Sequence, residues 1–393
     1  MSSSYFEFYS PVKIISGHKA LDNIGYELEC LQASRPLIVT DACVKQAGLL
    51  RQVQKAFKSS QAEIGTIFDQ VPPDSSTRVV NQAAHLYQEG ACDSIVAVGG
   101  GSVIDTAKGV NIVVSEGCTD LMLFAGAERL TRPLKPLVAV PTTAGTGSEA
   151  TLAAVIYNEE KHLKMAFTSY YLMPRTAILD PRMTETMPAR VTAATGMDAL
   201  AHAVEAATCL QKNPLSDAYA FAAVRLIRDN LIRAVKDSTN QTVRLNMANA
   251  AAMAGIAFSN SMVGIVHALG HAAGGACHLP HGTAMSIFLP FGLEYILPKC
   301  ADSLAQLLLP LGSEETFVQT RPEDRAEQSI ERIKELKEEL YRLCGLPRTL
   351  SEAGVPRDRL GAIAKAAVDD PALIYSPMEM EAQDALEILK KAY

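Results

Sequence analysis

Residues 93–102 read DSIVAVGGGS, a short apolar run that ends in three glycines and a serine, and VIDTAK follows with helical spacing. A strand that passes straight into a helix through glycines is the repeating unit of a parallel sheet, because parallel neighbours need a crossover connection. The same pattern extends outward in both directions. RPLIVTD (35–41), AEIGTIFDQV (62–71) and PLVAVPTTAGTGS (136–148) are further strand candidates, separated by helix-period segments such as LLRQVQKAFKSS (49–60) and TRVVNQAAHLYQEG (77–90). TLAAVIYN, LKMAFT and RTAILDP, between 151 and 181, add strands that complete the unit, and the early FEFYSPVKII reads as one more.

After Pro188 the texture changes. ARVTAATGMDALAHAVEAAT (189–208), SDAYAFAAVRLIRDNLIRAVKD (216–237), VRLNMANAAAMAGIAF (243–258) and EQSIERIKELKEELYRLCG (327–345) are all patterned as helices. The expected architecture is an α/β N-terminal domain with a mostly parallel, Rossmann-like sheet over residues 1–185, then an all-α domain over 186–393, with a site in the cleft between them. SEETFVQTRPEDR (313–325) reads as an exposed, charged loop.

Composition narrows the function classes. The 393 residues are 48% hydrophobic with a net charge of -7 and no basic block, which argues against a nucleic-acid partner. Eight cysteines form no C-x-x-C pair, and MSSSYFEFYSPVK has no basic region followed by an apolar core. A reduced, cytoplasmic protein is expected. Residues 245–293 carry no Asp, Glu, Lys or Arg, yet their longest run without a polar side chain is AAAMAGIAF, far below the ~20 residues of a membrane span. The stretch reads as the centre of a helical domain.

Several segments carry chemistry. Gly99, Gly100, Gly101 and Ser102 open a helix, where exposed backbone N–H groups and the helix terminus suit a phosphate. The spacing is not G-x-G-x-x-G, so an ordinary Rossmann fingerprint is absent. Asp41, at a strand end, suits a ribose 2′-hydroxyl, although turns and caps use Asp there too. Thr142, Thr143, Thr146 and Ser148 crowd hydroxyls around glycines, as a nucleotide-contacting loop would. Residues 266–282 hold four of the eight histidines, with His267 and His271 one helical turn apart and His281 after them; Asp198 and His202 repeat the i, i+4 spacing. A buried Asp among alanines needs a partner, and one carboxylate with three imidazoles suits Fe(II) or Zn(II) rather than Mg or Ca. His278 reads as an exposed loop residue, and His85 and His162 as structural or surface histidines.

The GGGS turn, PTTAGTGSE, G-x-D-A-L-x-H, F-S-N, V-H-A-x-x-H and P-H-G, in this order, resemble the iron-containing (group III) alcohol dehydrogenases, from about residue 6 to the C-terminal helix. The resemblance implies metal ligands Asp198, His202, His267 and His281, with His271 near the metal, the nicotinamide and the substrate. It implies that Gly99 to Ser102 and Asp105 belong to the pyrophosphate loop, that Thr142, Thr143, Thr146 and Ser148 contact the nucleotide, and that Lys164 lies near the ribose. Asp41 would favour NAD over NADP, and Phe258 would line the substrate pocket. The implied activity is reversible hydride transfer between NAD(H) and a small primary alcohol or diol and its aldehyde, with Fe(II) bound, or Zn(II), in a homodimer. The same fold also serves hydroxyacid-oxoacid transhydrogenases, glycerol dehydrogenases and dehydroquinate synthases, which stand as alternatives. The chain departs from the family at Pro73-Asp74-Ser75, at Ser16 to Ala20 and at Ser376-Pro377-Met378, none of which touches the ligand set.

Overall fold

The computed structural model describes residues 5–58, 60–160 and 163–393; His162 lies outside them. The chain divides into two compact units. One takes in Ser10–Met187 and Thr239–Ala252; the other takes in Pro188–Ser238, Met253–Tyr393 and the described residues before Ser10.

The first unit runs β1 (Lys13–Ser16), α1 (Ile24–Cys30), β2 (Pro36–Val39), α2 (Ala42–Gln46), α3 (Leu49–Phe57), β3 (Thr66–Phe68), α4 (Thr77–Glu89), β4 (Ser94–Gly99), α5 (Gly101–Glu116), β5 (Gly126–Ala127), β6 (Leu137–Pro141), β7 (Ala153–Asn158), β8 (Leu163–Thr168) and β9 (Thr176–Leu179). Six strands pair in parallel in the order β1-β9-β6-β4-β2-β3. Alternate residues explain why the central strands are apolar throughout. Leu37, Ile95, Ala97, Leu137 and Ala139 enter one core, while Ile38, Val96, Val98, Val138 and Val140 enter another. Helices bury both faces of a parallel sheet, so neither face is left to polar residues.

Two strand expectations change. β7 and β8 pair with each other antiparallel and join β5 in a separate three-stranded sheet. The connection between them is too short for a crossover helix, so a hairpin is what the chain can make. Of FEFYSPVKII, only the end is strand, within β1 at the sheet edge. Upstream, Tyr9 exchanges hydrogen bonds with the Asn260 side chain, its N–H donating at 2.7 Å and its carbonyl accepting at 3.2 Å.

The helices that follow are α6 (Ala189–Ala206), α7 (Pro214–Lys236), α8 (Gln241–Ser259), α9 (Ile265–Cys277), α10 (His281–Leu311), α11 (Glu314–Gln319), α12 (Arg325–Cys344), α13 (Leu360–Ala367) and α14 (Ala382–Lys391). The charge-free stretch 245–293 spans most of α8, all of α9 and the start of α10. Residues 313–325 are not the expected loop: Ser313 caps α11, its hydroxyl accepting from Thr316 N–H at 3.1 Å. A serine before two glutamates is a helix-start signal. Among the described residues, no helix is long and apolar enough to cross a membrane.

Candidate active site

The nucleotide-type segments all lie in the first unit. β4 delivers Gly99 and Gly100 to the start of α5, and the glycines are needed for close approach. A Cβ on Gly99 would lie 2.4 Å from Val103 Cγ2, and one on Gly101 would lie 2.7 Å from Thr146 Cγ2. Gly100 and Gly101 thus let Thr143 and Thr146 of the threonine loop close over the helix start, where backbone N–H groups suit an anion. Thr142 N–H donates to Gly99 O at 3.0 Å, tying that loop to the turn.

Several expected contacts already have protein partners. Ser102 Oγ donates to Pro73 O. Ser148 Oγ donates to Asp105 Oδ1 at 2.7 Å, and Asp105 Oδ2 accepts from Val155 N–H at 3.0 Å. Lys108, fully buried on α5, donates to Ser148 Oγ, Thr151 Oγ1 and the carbonyls of Thr151 and Ala153. Asp105, Ser148 and Lys108 form a brace under the loop and leave Thr143 and Thr146 near its rim. Asp41 Oδ1 caps α2 by accepting from Val44 N–H at 2.8 Å. Lys164, on β8, pairs with Asp74 at 2.6 Å, so the Pro73-Asp74-Ser75 departure supplies its counter-charge.

The second unit gathers the histidines. α6 carries Asp198 and His202 on one face, α9 brings His267, and α10 begins with His281. One donor atom from each of the four lies within 4.8 Å of every other. Asp198, His202 and His267 are buried, and His202 Nδ1 and His267 Nε2 have no hydrogen-bond partner. His281 Nε2 stands 3.2 Å from Asp198 Oδ1.

Each such orphan costs about 1–3 kcal/mol. A single divalent cation removes both costs, and an N3O donor set fits Fe(II) or Zn(II). Protonation follows the same logic. Burial alone would raise the Asp198 carboxyl, but the imidazoles of His202, His281 and His267 hold it below the usual carboxylate range. Burial pushes His202 down to about 3 against the pull of Asp198, and pushes His267 well below the ordinary imidazole value. The anion and the neutral lone pairs that a cation needs are thus the forms the site favours.

Two residues next to the cluster escaped the sequence reading. Glu205, also on α6, meets His267 Nδ1 with one carboxylate oxygen while the other accepts from Val266 N–H at 2.8 Å. Asp370, just ahead of the short turn Pro371–Tyr375, holds His271 Nδ1 at 2.9 Å. The spacing of Glu205 from Asp198 and His202 was a usable signal; Asp370 is too distant in sequence to offer one. His271 is partly exposed, its ring stacked with that of His281 at 5.5 Å. Phe258 stacks on His202 with ring centroids 4.4 Å apart. His278 is exposed, ends α9 in a left-handed conformation and takes no part in the cluster.

Known proteins resemble this chain along its whole length. The sequence profile for iron-containing alcohol dehydrogenase matches residues 11–181, and that for the C-terminal part of the Fe-containing alcohol dehydrogenase family matches 192–393. The 1,3-propanediol dehydrogenase of Klebsiella pneumoniae is 36% identical over all of both chains. The NAD-dependent methanol dehydrogenase of Bacillus methanolicus is 33% identical over 98% of this chain and 99% of its own. Among solved structures, a 1,3-propanediol oxidoreductase superposes with a TM-score of 0.94 at 35% identity, covering 99% of this chain and 100% of its own. The chain belongs to the iron-containing alcohol dehydrogenase family and is a metal-dependent, NAD(H)-linked oxidoreductase of small alcohols and aldehydes.

Proposed function

We propose that Asp198, His202, His267 and His281 hold one Fe(II) ion, a site whose donor set also accepts Zn(II), and that the chain interconverts a small primary alcohol or diol and its aldehyde. The observation that carries this reading is the convergence of one carboxylate and three imidazoles within 4.8 Å, with His202 Nδ1 and His267 Nε2 buried and without a hydrogen-bond partner. When bound, the cation supplies a Lewis acid that lowers the pKa of an alcohol and polarises a carbonyl, and NAD accepts or returns the hydride. The chain's own residues do the rest. His271, partly exposed and held at Nδ1 by Asp370, exchanges the alcohol proton with solvent through Nε2. Phe258, flat against His202, gives the site an apolar wall.

In the first unit, Gly99 to Ser102 bind the pyrophosphate through backbone N–H groups, Thr142, Thr143 and Thr146 line the nucleotide, and Asp105 and Ser148 support that loop from below. Lys164 contacts the ribose from its pair with Asp74, and Asp41 disfavours a 2′-phosphate. The division of labour between a dinucleotide-binding unit and a metal-binding unit, a cytoplasmic location, and a homodimer joined through the early strand complete the proposal. Exposed Ile14 on edge strand β1, and exposed Tyr5, Phe6 and Tyr9 earlier in the chain, support the dimer.

Paired substitutions separate the roles. His267→Ala is expected to lose the metal and turnover together, whereas His271→Ala keeps the metal and loses turnover. Full aldehyde reduction by metal-free His267→Ala protein would refute the ligand assignment.

A further inference from the structure

We propose that Glu205 is the positioning residue that fixes His267 for metal binding. The inference rests on the ligand set just assigned. Asp198, His202 and Glu205 fall at i, i+4 and i+7 along α6, one face of the helix. Glu205 is 2% exposed, and its two oxygens act on α9 in different ways.

One oxygen, Oε1, accepts from Val266 N–H at 2.8 Å. The N-cap of α9 is Gly264, which has no side chain with which to cap. The metal-bearing helix α6 therefore caps the metal-bearing helix α9. A Cβ at residue 264 would lie 3.3 Å from Glu205 Oε1, so the glycine leaves room for the cap.

The other oxygen, Oε2, meets His267 Nδ1. A neutral imidazole carries one proton, and ionised Glu205, with Oε2 at Nδ1, accepts it there, which leaves the lone pair on Nε2. His267 Nε2 is the buried atom without a hydrogen-bond partner that faces the cluster. With the proton on Nε2 instead, His267 could not be a ligand. One carboxylate thus locks the two helices together and selects the tautomer that binds.

Glu205→Gln tests this with nearly unchanged shape. The single amide oxygen serves Val266 N–H or His267 Nδ1 but not both; when it caps α9, the amide NH2 faces Nδ1 and drives the proton to Nε2. Zn(II) affinity of the full chain is measured by competition with a chromophoric chelator, alongside the melting temperature of the metal-free protein. The expected result is a 10- to 100-fold loss of affinity in a variant that still melts cooperatively. Parent-level affinity in folded Glu205→Gln overturns the proposal and leaves the ligand set intact, whereas a parent that binds no Zn(II) removes both. Should Glu205→Gln fail to fold, nitrogen NMR of 15N-histidine-labelled, metal-free parent protein decides, with the His267 signal assigned by its loss in His267→Ala. A proton on Nδ1 supports the proposal, and one on Nε2 overturns it.

Discussion

Gly282 follows the first residue of α10, and a methyl group there would meet the backbone of α6. Its Cβ would lie 2.5 Å from Ala194 O and 2.8 Å from Ala194 C, where ordinary contact begins at 3.4 Å. Gly282→Ala therefore asks α10 and α6 to move apart by about 0.9 Å, with no flexible side chain in between to absorb the shift. Overpacking of this kind costs about 1–3 kcal/mol. The consequence for the site is larger. α10 carries His281 and α6 carries Asp198 and His202, with His281 Nε2 now 3.2 Å from Asp198 Oδ1. Metal sites hold their distances to within about 0.2 Å, so a displacement several times larger should weaken Zn(II) binding by about tenfold or more. Chelator competition reads the affinity, and thermal melting of the metal-free protein reads the packing cost. A folded Gly282→Ala protein with parent-level affinity would refute the claim that this backbone contact sets the ligand spacing.

Other substitutions test neighbouring parts of the account. Asp370→Asn is expected to keep Zn(II) affinity within a few fold and to lower aldehyde reduction by about 10- to 100-fold, because it loosens His271 rather than a ligand; unchanged turnover would deny His271 its proton-transfer role. Gly117→Ala, at the left-handed end of α5 with φ 66° and nothing within 4 Å of the new Cβ, should cost about 1 kcal/mol through backbone strain alone, read by urea unfolding. Glu149 is buried, and burial pushes its pKa up to about 7 from 4.5. A raised folded-state pKa means that stability from this group is full below about pH 4.5 and is lost as the pH rises through 7. Glu149→Gln should therefore stabilise the protein more at pH 8 than at pH 5 in urea titrations, and an equal effect at both would contradict the burial argument.

The sequence showed most where the physics is local. DSIVAVGGGS announced a strand, a glycine turn and a helix because each depends on neighbouring residues, and the i, i+4 pairs placed Asp198 with His202 and His267 with His271. What escaped depends on distant pairing. The separate sheet of β5, β7 and β8 follows from connection length rather than from strand propensity. The 31-residue α10 contains Pro290, Pro298 and Pro310, residues that normally end a helix. The side-chain partners of Asp105 and Ser148 also depend on folding. Ser148 donates to Asp105 and accepts from Lys108, and Asp105 also accepts from Val155 N–H, so the motif marks how the loop is held. Asp370 is separated from His271 by 99 residues, and only folding brings them to 2.9 Å.

The most direct test of the metal-centred account is NADH oxidation by short aldehydes with anaerobically prepared, metal-free protein, before and after addition of one equivalent of Fe(II) or Zn(II). A metal-centred reaction gives no turnover without metal, recovery at one ion per chain, and no recovery in His267→Ala. Turnover in the metal-free protein, or equal recovery in His267→Ala, would contradict it.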